Sequence, residues 1–296
     1  AMTQPILGLR DPYFLELMEE VRTGLRTAFG TTNKMTFLIP GSGSSGMEAA
    51  IANFVTPGAK VGIFANGYFA DRQAEMARRH GAKVVRFEKP WGEAFTPEEA
   101  SEFVHRERPQ IVTFVQGETS TGIYQSARAI TAAAQTIGAL TIADTVTTLG
   151  AMPVEIDANK IDVAYSCTQK GLSCPAGLSP FTVSAQAWER LEKREEPLME
   201  WYLDLKMLAK WYEAPHVYHH TPSAPLFYAL QCGLQIIEEE GLKNRWDRHY
   251  TAYKRLATGF TKLGFRFLVE EPNRLWHMNT VMPPDGVNEA ALRQKL

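Results

Sequence analysis

The sequence predicts an α/β protein, a three-layer αβα arrangement around a mostly parallel central sheet, with a smaller α+β lobe at the C-terminal end. Three observations predict it. Short apolar runs alternate with helical periodicity from residue 35 onward. Most of those runs end in small or polar residues, as strand ends do where a parallel sheet binds a ligand. Beyond residue 222 the alternation gives way to long helices and then to new short strands.

Taken in order, residues 16–29 carry helical spacing after an N-terminal arm. Strands are predicted at 35–39, 60–65, 83–87, 111–115, 140–143 and 163–166, and helices between several of them at 47–54, 70–80, 97–106 and 130–137. Two long helices follow, 222–240 and 242–263, punctuated by Gly241. Strands at 265–269 and 277–281 and a helix at 288–296 then open the second lobe. The expected division is an arm over 1–20, a large domain over 21–255, and the start of a small C-terminal domain over 256–296.

Composition excludes several function classes. With 296 residues and 45% hydrophobic content, the chain can fill a large core. Lys and Arg total 31 against 33 Asp and Glu, so no basic surface announces nucleic acid, and no apolar run is long enough to span a membrane. The first ten residues lack the pattern of a secretion signal, and the cytoplasm is the expected location. Cys167, Cys174 and Cys232 form neither a disulfide framework nor a zinc motif. The pair His219-His220 lacks further ligands at suitable spacing, so no metal is expected.

The strand ends hold the chemistry. Gly41-Ser42-Gly43-Ser44-Ser45-Gly46 follows the first strand and opens a helix, which satisfies the dinucleotide-binding spacing. That reading also requires an acid at the end of the next strand, where Asn66-Gly67 stands instead. What survives is a loop of small residues and hydroxyls at a helix N-terminus, suited to one phosphate. Asp144 closes the strand Leu140-Thr141-Ile142-Ala143, and Lys170 follows the next one in Ser166-Cys167-Thr168-Gln169-Lys170. Alone, Asp144 reads more readily as a turn or helix cap, and Lys170 as a solvated lysine. Together they suggest pyridoxal phosphate (PLP), which needs an amine for its aldehyde and a carboxylate for its ring nitrogen. Lys170 is expected beside apolar surface, where desolvation would activate the amine.

With these residues in view, the chain resembles the class V, fold-type I PLP aminotransferases, in particular the alanine-glyoxylate and serine-pyruvate group. The motifs that carry the resemblance are Gly41-Ser42-Gly43, Ala65-Asn66-Gly67, Gly117-Glu118-Thr119-Ser120-Thr121-Gly122, Asp144-Thr145-Val146, Ser166-Cys167-Thr168-Gln169-Lys170 and Tyr218-His219-His220-Thr221-Pro222. It extends over nearly the whole chain.

The resemblance implies that Lys170 holds PLP covalently and that Asp144 pairs with the pyridine nitrogen. It implies that Val146 packs on one face of the ring and Phe69, where many relatives carry tryptophan, on the other. Thr119 is implied near the phenolic oxygen, and Ser42, Gly43, Ser44 and Gln169 around the phosphate. Tyr218 and Thr221 are implied to reach the phosphate of a neighbouring subunit, so the expected assembly is a homodimer with shared sites.

The activity implied is transfer of an amino group from a small L-amino acid, alanine or serine, to glyoxylate or another small 2-oxo acid. The alternatives are another class V enzyme (a lyase, desulfurase or amine-specific transaminase) and a non-catalytic protein on the same fold. A substrate-binding arginine of the C-terminal lobe is also implied. The sequence ends at Leu296 before that region, and no Pro-Gly-Pro-like segment opens it, so a chain incomplete at both ends is expected.

Overall fold

Apolar runs of five or six residues, too short for core helices, assemble into the inner strands of one sheet in the computed structural model, which describes residues 1–296. The first helix, α1 (Pro12–Phe29), starts where Asp11 accepts a hydrogen bond from the Tyr13 N–H and stops at Gly30, whose left-handed backbone ends the helix. The alternating series follows: β1 (Met35–Pro40), α2 (Gly43–Phe54), β2 (Lys60–Ala65), α3 (Tyr68–Arg79), β3 (Lys83–Glu88), α4 (Pro97–Glu107) and β4 (Ile111–Val115). A two-stranded finger, β5 (Gly117–Glu118) and β6 (Ile123–Tyr124), precedes α5 (Ala127–Thr136), β7 (Leu140–Asp144), β8 (Val163–Tyr165) and β9 (Leu178–Val183).

The large sheet has seven strands in the order β1-β9-β8-β7-β4-β2-β3. Every pairing is parallel except those of β9, which runs against both β1 and β8. Helices flank it: α2 and α3 pack on each other and on the strands, α4 packs on α5, and α5 lies on β7. This is the predicted three-layer arrangement. The main core is a cluster of 63 buried apolar residues, and a separate cluster of 3, Tyr253, Ala257 and Phe267, lies between the last long helix and the terminal lobe.

β9 was not among the predicted strands, and the reason is Pro180 at its middle. Proline lacks the ladder donor and argues against an interior strand. Here Pro180 keeps its acceptor role, taking the Ser166 N–H at 2.8 Å. The donor it lacks is replaced by its neighbour: the Ser179 hydroxyl donates to the Ser166 carbonyl at 2.6 Å. A side chain completes the ladder.

After β9 come α6 (Ala185–Glu192) and α7 (Leu205–Tyr212), which the sequence reading did not include, then α8 (Ala224–Glu240) and α9 (Leu242–Lys262). Gly241, at a φ of 77°, separates the last two as expected. The terminal lobe has less strand than predicted. It pairs only β10 (Arg266–Phe267) with β11 (Val281–Met282) before α10 (Glu289–Lys295). No helix is long and apolar enough to cross a membrane.

One contact from α9 governs the loops beyond β7 and β8. Buried Arg245 donates to the carbonyls of Gly150 (3.0 Å) and Gly171 (2.9 Å) and to Ser173 Oγ (3.2 Å), and pairs with Glu240 at 2.9 Å. The two loops meet at Gly171, where a Cβ would stand 2.2 Å from the Leu149 carbonyl oxygen and 2.9 Å from the Ala151 nitrogen. Only glycine permits that approach. Gly171→Ala is expected to destabilise the fold by about 2 kcal/mol or more, read from denaturant unfolding; wild-type stability would contradict the packing described.

Candidate active site

The starts of α2 and α3 and the segments that leave β4, β7 and β8 converge on a single cleft with room for about 200 Å³, lined by Ser42, Gly43, Ser44, Met47, Phe69, Arg72, Val115, Gly117, Asp144, Val146, Thr147, Gln169 and Lys170. Eight of the eleven expected residues therefore lie together: Ser42, Gly43, Ser44, Phe69, Asp144, Val146, Gln169 and Lys170. The other three stand outside its lining. Thr119 follows β5 just beyond Gly117, whereas Tyr218 and Thr221 are exposed and bonded to each other at 3.2 Å. His219 and His220 are buried behind them, Nδ1 to Nδ1 at 2.9 Å, with His219 stacked on Trp201. No group of three metal-capable side chains forms.

The anion end of the cleft is the first turn of α2. This helix starts at Gly43, four residues earlier than its apolar spacing suggests, so the small residues of the loop become its first turn. Ser42 at the cap position makes no side-chain capping bond, which leaves the first N–H groups and the seryl hydroxyl available to a ligand. Gly43 must be glycine, since a Cβ would meet Val146 Cγ2 at 2.8 Å. Arg72, which the sequence reading missed, adds a cation: it donates to Ser44 Oγ at 2.9 Å and lies over the rings of Phe69 and Tyr68. Its signal was legible as helical spacing, three residues after Phe69 on the same face of α3.

Phe69 is positioned by a carboxylate from another strand. Buried Glu118 accepts from the Phe69 N–H (2.8 Å), the Ser120 N–H (3.0 Å) and Ser120 Oγ (2.8 Å), and Ser120 Oγ accepts from the Tyr68 N–H at 3.1 Å. The start of α3 is thus capped from β5 and the turn after it. Gly67 makes this possible, because a Cβ there would fall 2.2 Å from Glu118 Cγ. Asn66, where a dinucleotide site would need an acid, instead donates to the Glu93 carbonyl at 3.1 Å.

Asp144 ends β7 with only 3% of its surface exposed. Oδ1 accepts from the Val146 N–H at 2.9 Å and Oδ2 from the Tyr165 hydroxyl at 3.0 Å. Burial raises its pKa from 3.8 to about 7, opposed by those two hydrogen bonds and by Lys170 and reinforced by Glu118. Lys170 corrects an expectation. Its side chain is exposed, so the desolvation expected there is absent, although the residue does line the cleft with Asp144. Cys167 and Cys174 are pushed up to about 11 by burial, which argues against a thiolate nucleophile at either position.

A model of the aminotransferase class-V family matches residues 10–293. The alanine–glyoxylate aminotransferase of Drosophila melanogaster is 37% identical over 293 residues, 97% of this chain and 74% of that protein. The (S)-ureidoglycine–glyoxylate transaminase of Bacillus subtilis is 33% identical, over 100% of this chain and 75% of its own. Among solved structures, an alanine–glyoxylate aminotransferase from Nostoc sp. superimposes with a TM-score of 0.97 at 42% identity, covering 100% of this chain and 78% of that one.

Because the folded protein raises the Asp144 pKa, it retains a proton between about pH 4 and about pH 7 that the unfolded chain has released. Stability of the cofactor-free protein therefore falls as pH rises through that interval and stays lowered above it. Asp144→Asn should remove this component, so that its melting temperature gains on wild type across the interval. Parallel stability–pH curves for the two proteins would contradict the buried titration.

Proposed function

The chain belongs to the class V aminotransferases, and from that premise we propose that it moves an amino group from a small L-amino acid, alanine or serine, to glyoxylate or another small 2-oxo acid, with PLP as cofactor. Membership of this family implies PLP dependence. The observation that carries the reading is one cleft holding the Asp144 carboxylate, the Lys170 amine and an uncapped helix start.

The donor set fits the group. The α2 first turn, Ser42, Gly43, Ser44 and Gln169 would bind the phosphate, with Arg72 opposing its charge. Phe69 and Val146 would hold the two faces of the ring, and Thr119 is assigned to the phenolic oxygen. When bound, PLP supplies a protonated pyridine ring that draws electrons away from the α-carbon of an attached amino acid. Asp144 would keep the proton on the ring nitrogen, since its ionised form favours the cationic ring. Lys170 would hold the cofactor's aldehyde carbon and, once displaced by the substrate amine, carry the proton from the substrate α-carbon to the cofactor's C4′.

The chain is assigned to a homodimer in which Tyr218 and Thr221 reach the partner's phosphate site. Their exposure and separation from the cleft of their own chain support this. Three cysteines without a disulfide fit a reducing compartment, and we place the protein in the cytoplasm.

Incubation with PLP is expected to produce a visible absorbance band that decays on adding alanine and returns with glyoxylate. Lys170→Ala should lower the transfer rate by about 10³-fold or more while PLP still binds noncovalently. Wild-type transfer in that variant, or no band in the wild-type protein, would overturn the assignment.

A further inference from the structure

Behind Asp144, on the side away from the cleft, runs a chain of polar groups that the reaction as described does not use. Thr113 on β4, Gln73 on α3 and Tyr165 on β8 are fully buried. Thr113 Oγ1 donates to Gln73 Oε1 at 3.0 Å, Gln73 Nε2 donates to the Tyr165 hydroxyl at 2.9 Å, and that hydroxyl donates to Asp144 Oδ2 at 3.0 Å. These groups come from four elements far apart in sequence. The sheet register brings them to one face: Tyr165 pairs with Asp144, and Thr113 pairs with Ile142, two residues before Asp144.

We propose that Thr113, Gln73 and Tyr165 form a one-way hydrogen-bond relay that favours the ionised form of Asp144, with Tyr165 as its positioning residue. The direction follows from what each group can do. An ionised carboxylate only accepts, so Tyr165 must donate to it; the tyrosyl oxygen then accepts from an amide N–H; the amide oxygen is left to accept from the threonine hydroxyl. Every polar atom of the relay is satisfied in this sense.

A neutral Asp144 that donated to Tyr165 would turn that hydroxyl toward Gln73, whose NH₂ group cannot accept. Reversal requires the Gln73 amide to rotate by half a turn at a fully buried position. Donors fixed in this sense at buried positions therefore favour the ionised form of the acid against the effect of burial.

Other groups also face Asp144. Glu118 from β5 opposes its charge and Lys170 supports it, while the nearby Cys167 thiol, pushed up to about 11 by burial, stays neutral where Asp144 titrates. None of these is a hydrogen-bond partner of the carboxylate. The relay and the Val146 N–H are the only donors to it, and Val146 is a backbone contact that no side-chain change removes.

The relay gains its catalytic meaning from the assignment of Asp144 to the ring nitrogen, but it can be tested without that assignment. In the cofactor-free protein, the infrared C=O band of protonated Asp144 is isolated by subtracting Asp144→Asn, and its titration is followed in wild type, Tyr165→Phe and Gln73→Met. Near-ultraviolet circular dichroism reports whether each variant is folded.

A hydrogen bond lost from the charged form should raise the midpoint by about one to two pH units in Tyr165→Phe. Gln73→Met, which weakens the tyrosine as a donor without removing it, should shift the midpoint the same way by a few tenths of a unit. If Tyr165→Phe does not fold, the Gln73→Met shift decides. An unchanged midpoint in the folded variants overturns the relay, because a merely structural role for Tyr165 would leave the titration in place.

PLP affinity measured over the same pH range separates the two ideas. A shifted midpoint together with PLP binding that ignores the charge of Asp144 would retain the relay and reject the assignment of Asp144 to the ring nitrogen.

Discussion

A carboxylate taken out of water at the end of a parallel strand is the constraint on which the rest of this site depends. An isolated buried charge of this kind is costly, and the usual resolution is to take up a proton. Asp144 is held between the two outcomes. Burial drives its pKa to about 7, while the Val146 N–H and the Tyr165 hydroxyl support the charge. A carboxyl so poised responds strongly to a cationic group brought into the cleft, which is the property a partner for a ring nitrogen needs.

The architecture around Asp144 follows from the need to bring several strand ends within reach of one small molecule. β7 and β8 deliver Asp144 and the Lys170 segment side by side, and Arg245 on α9 fastens the loops that follow them. On the opposite wall, Glu118 fixes the backbone of Phe69 from the neighbouring finger. Three glycines, at positions 43, 67 and 171, stand where any Cβ would collide with the wall behind it. At these positions the backbone approaches its neighbouring segments more closely than any other residue type would allow, and several of the side chains that line the cleft are held by groups outside it.

Much of this was legible in the sequence. Six apolar runs marked six strands of the sheet, and the small and polar residues after them marked the cleft, because parallel strands place their carboxyl ends together. Asp144 and Lys170 were legible as a pair through their strand-end positions. What escaped was whatever depends on tertiary partners. β9 was hidden by Pro180, whose missing donor is supplied by Ser179. Arg72 and Gln73 read as the polar face of a helix until α3 is seen lying over β4 and β8. The exposure of Lys170 also escaped, since a buried strand before it and a tight small-residue turn after it do not fix how open the cleft around its side chain is.

The central claim is that one amine, rising from the loop after β8, holds the cofactor opposite Asp144. Borohydride reduction of the PLP-loaded protein followed by peptide mass spectrometry tests it most directly. The account predicts a stable adduct on the peptide carrying Lys170 and on no other lysine. Reduction that leaves Lys170 unmodified, or places the adduct elsewhere, would contradict it.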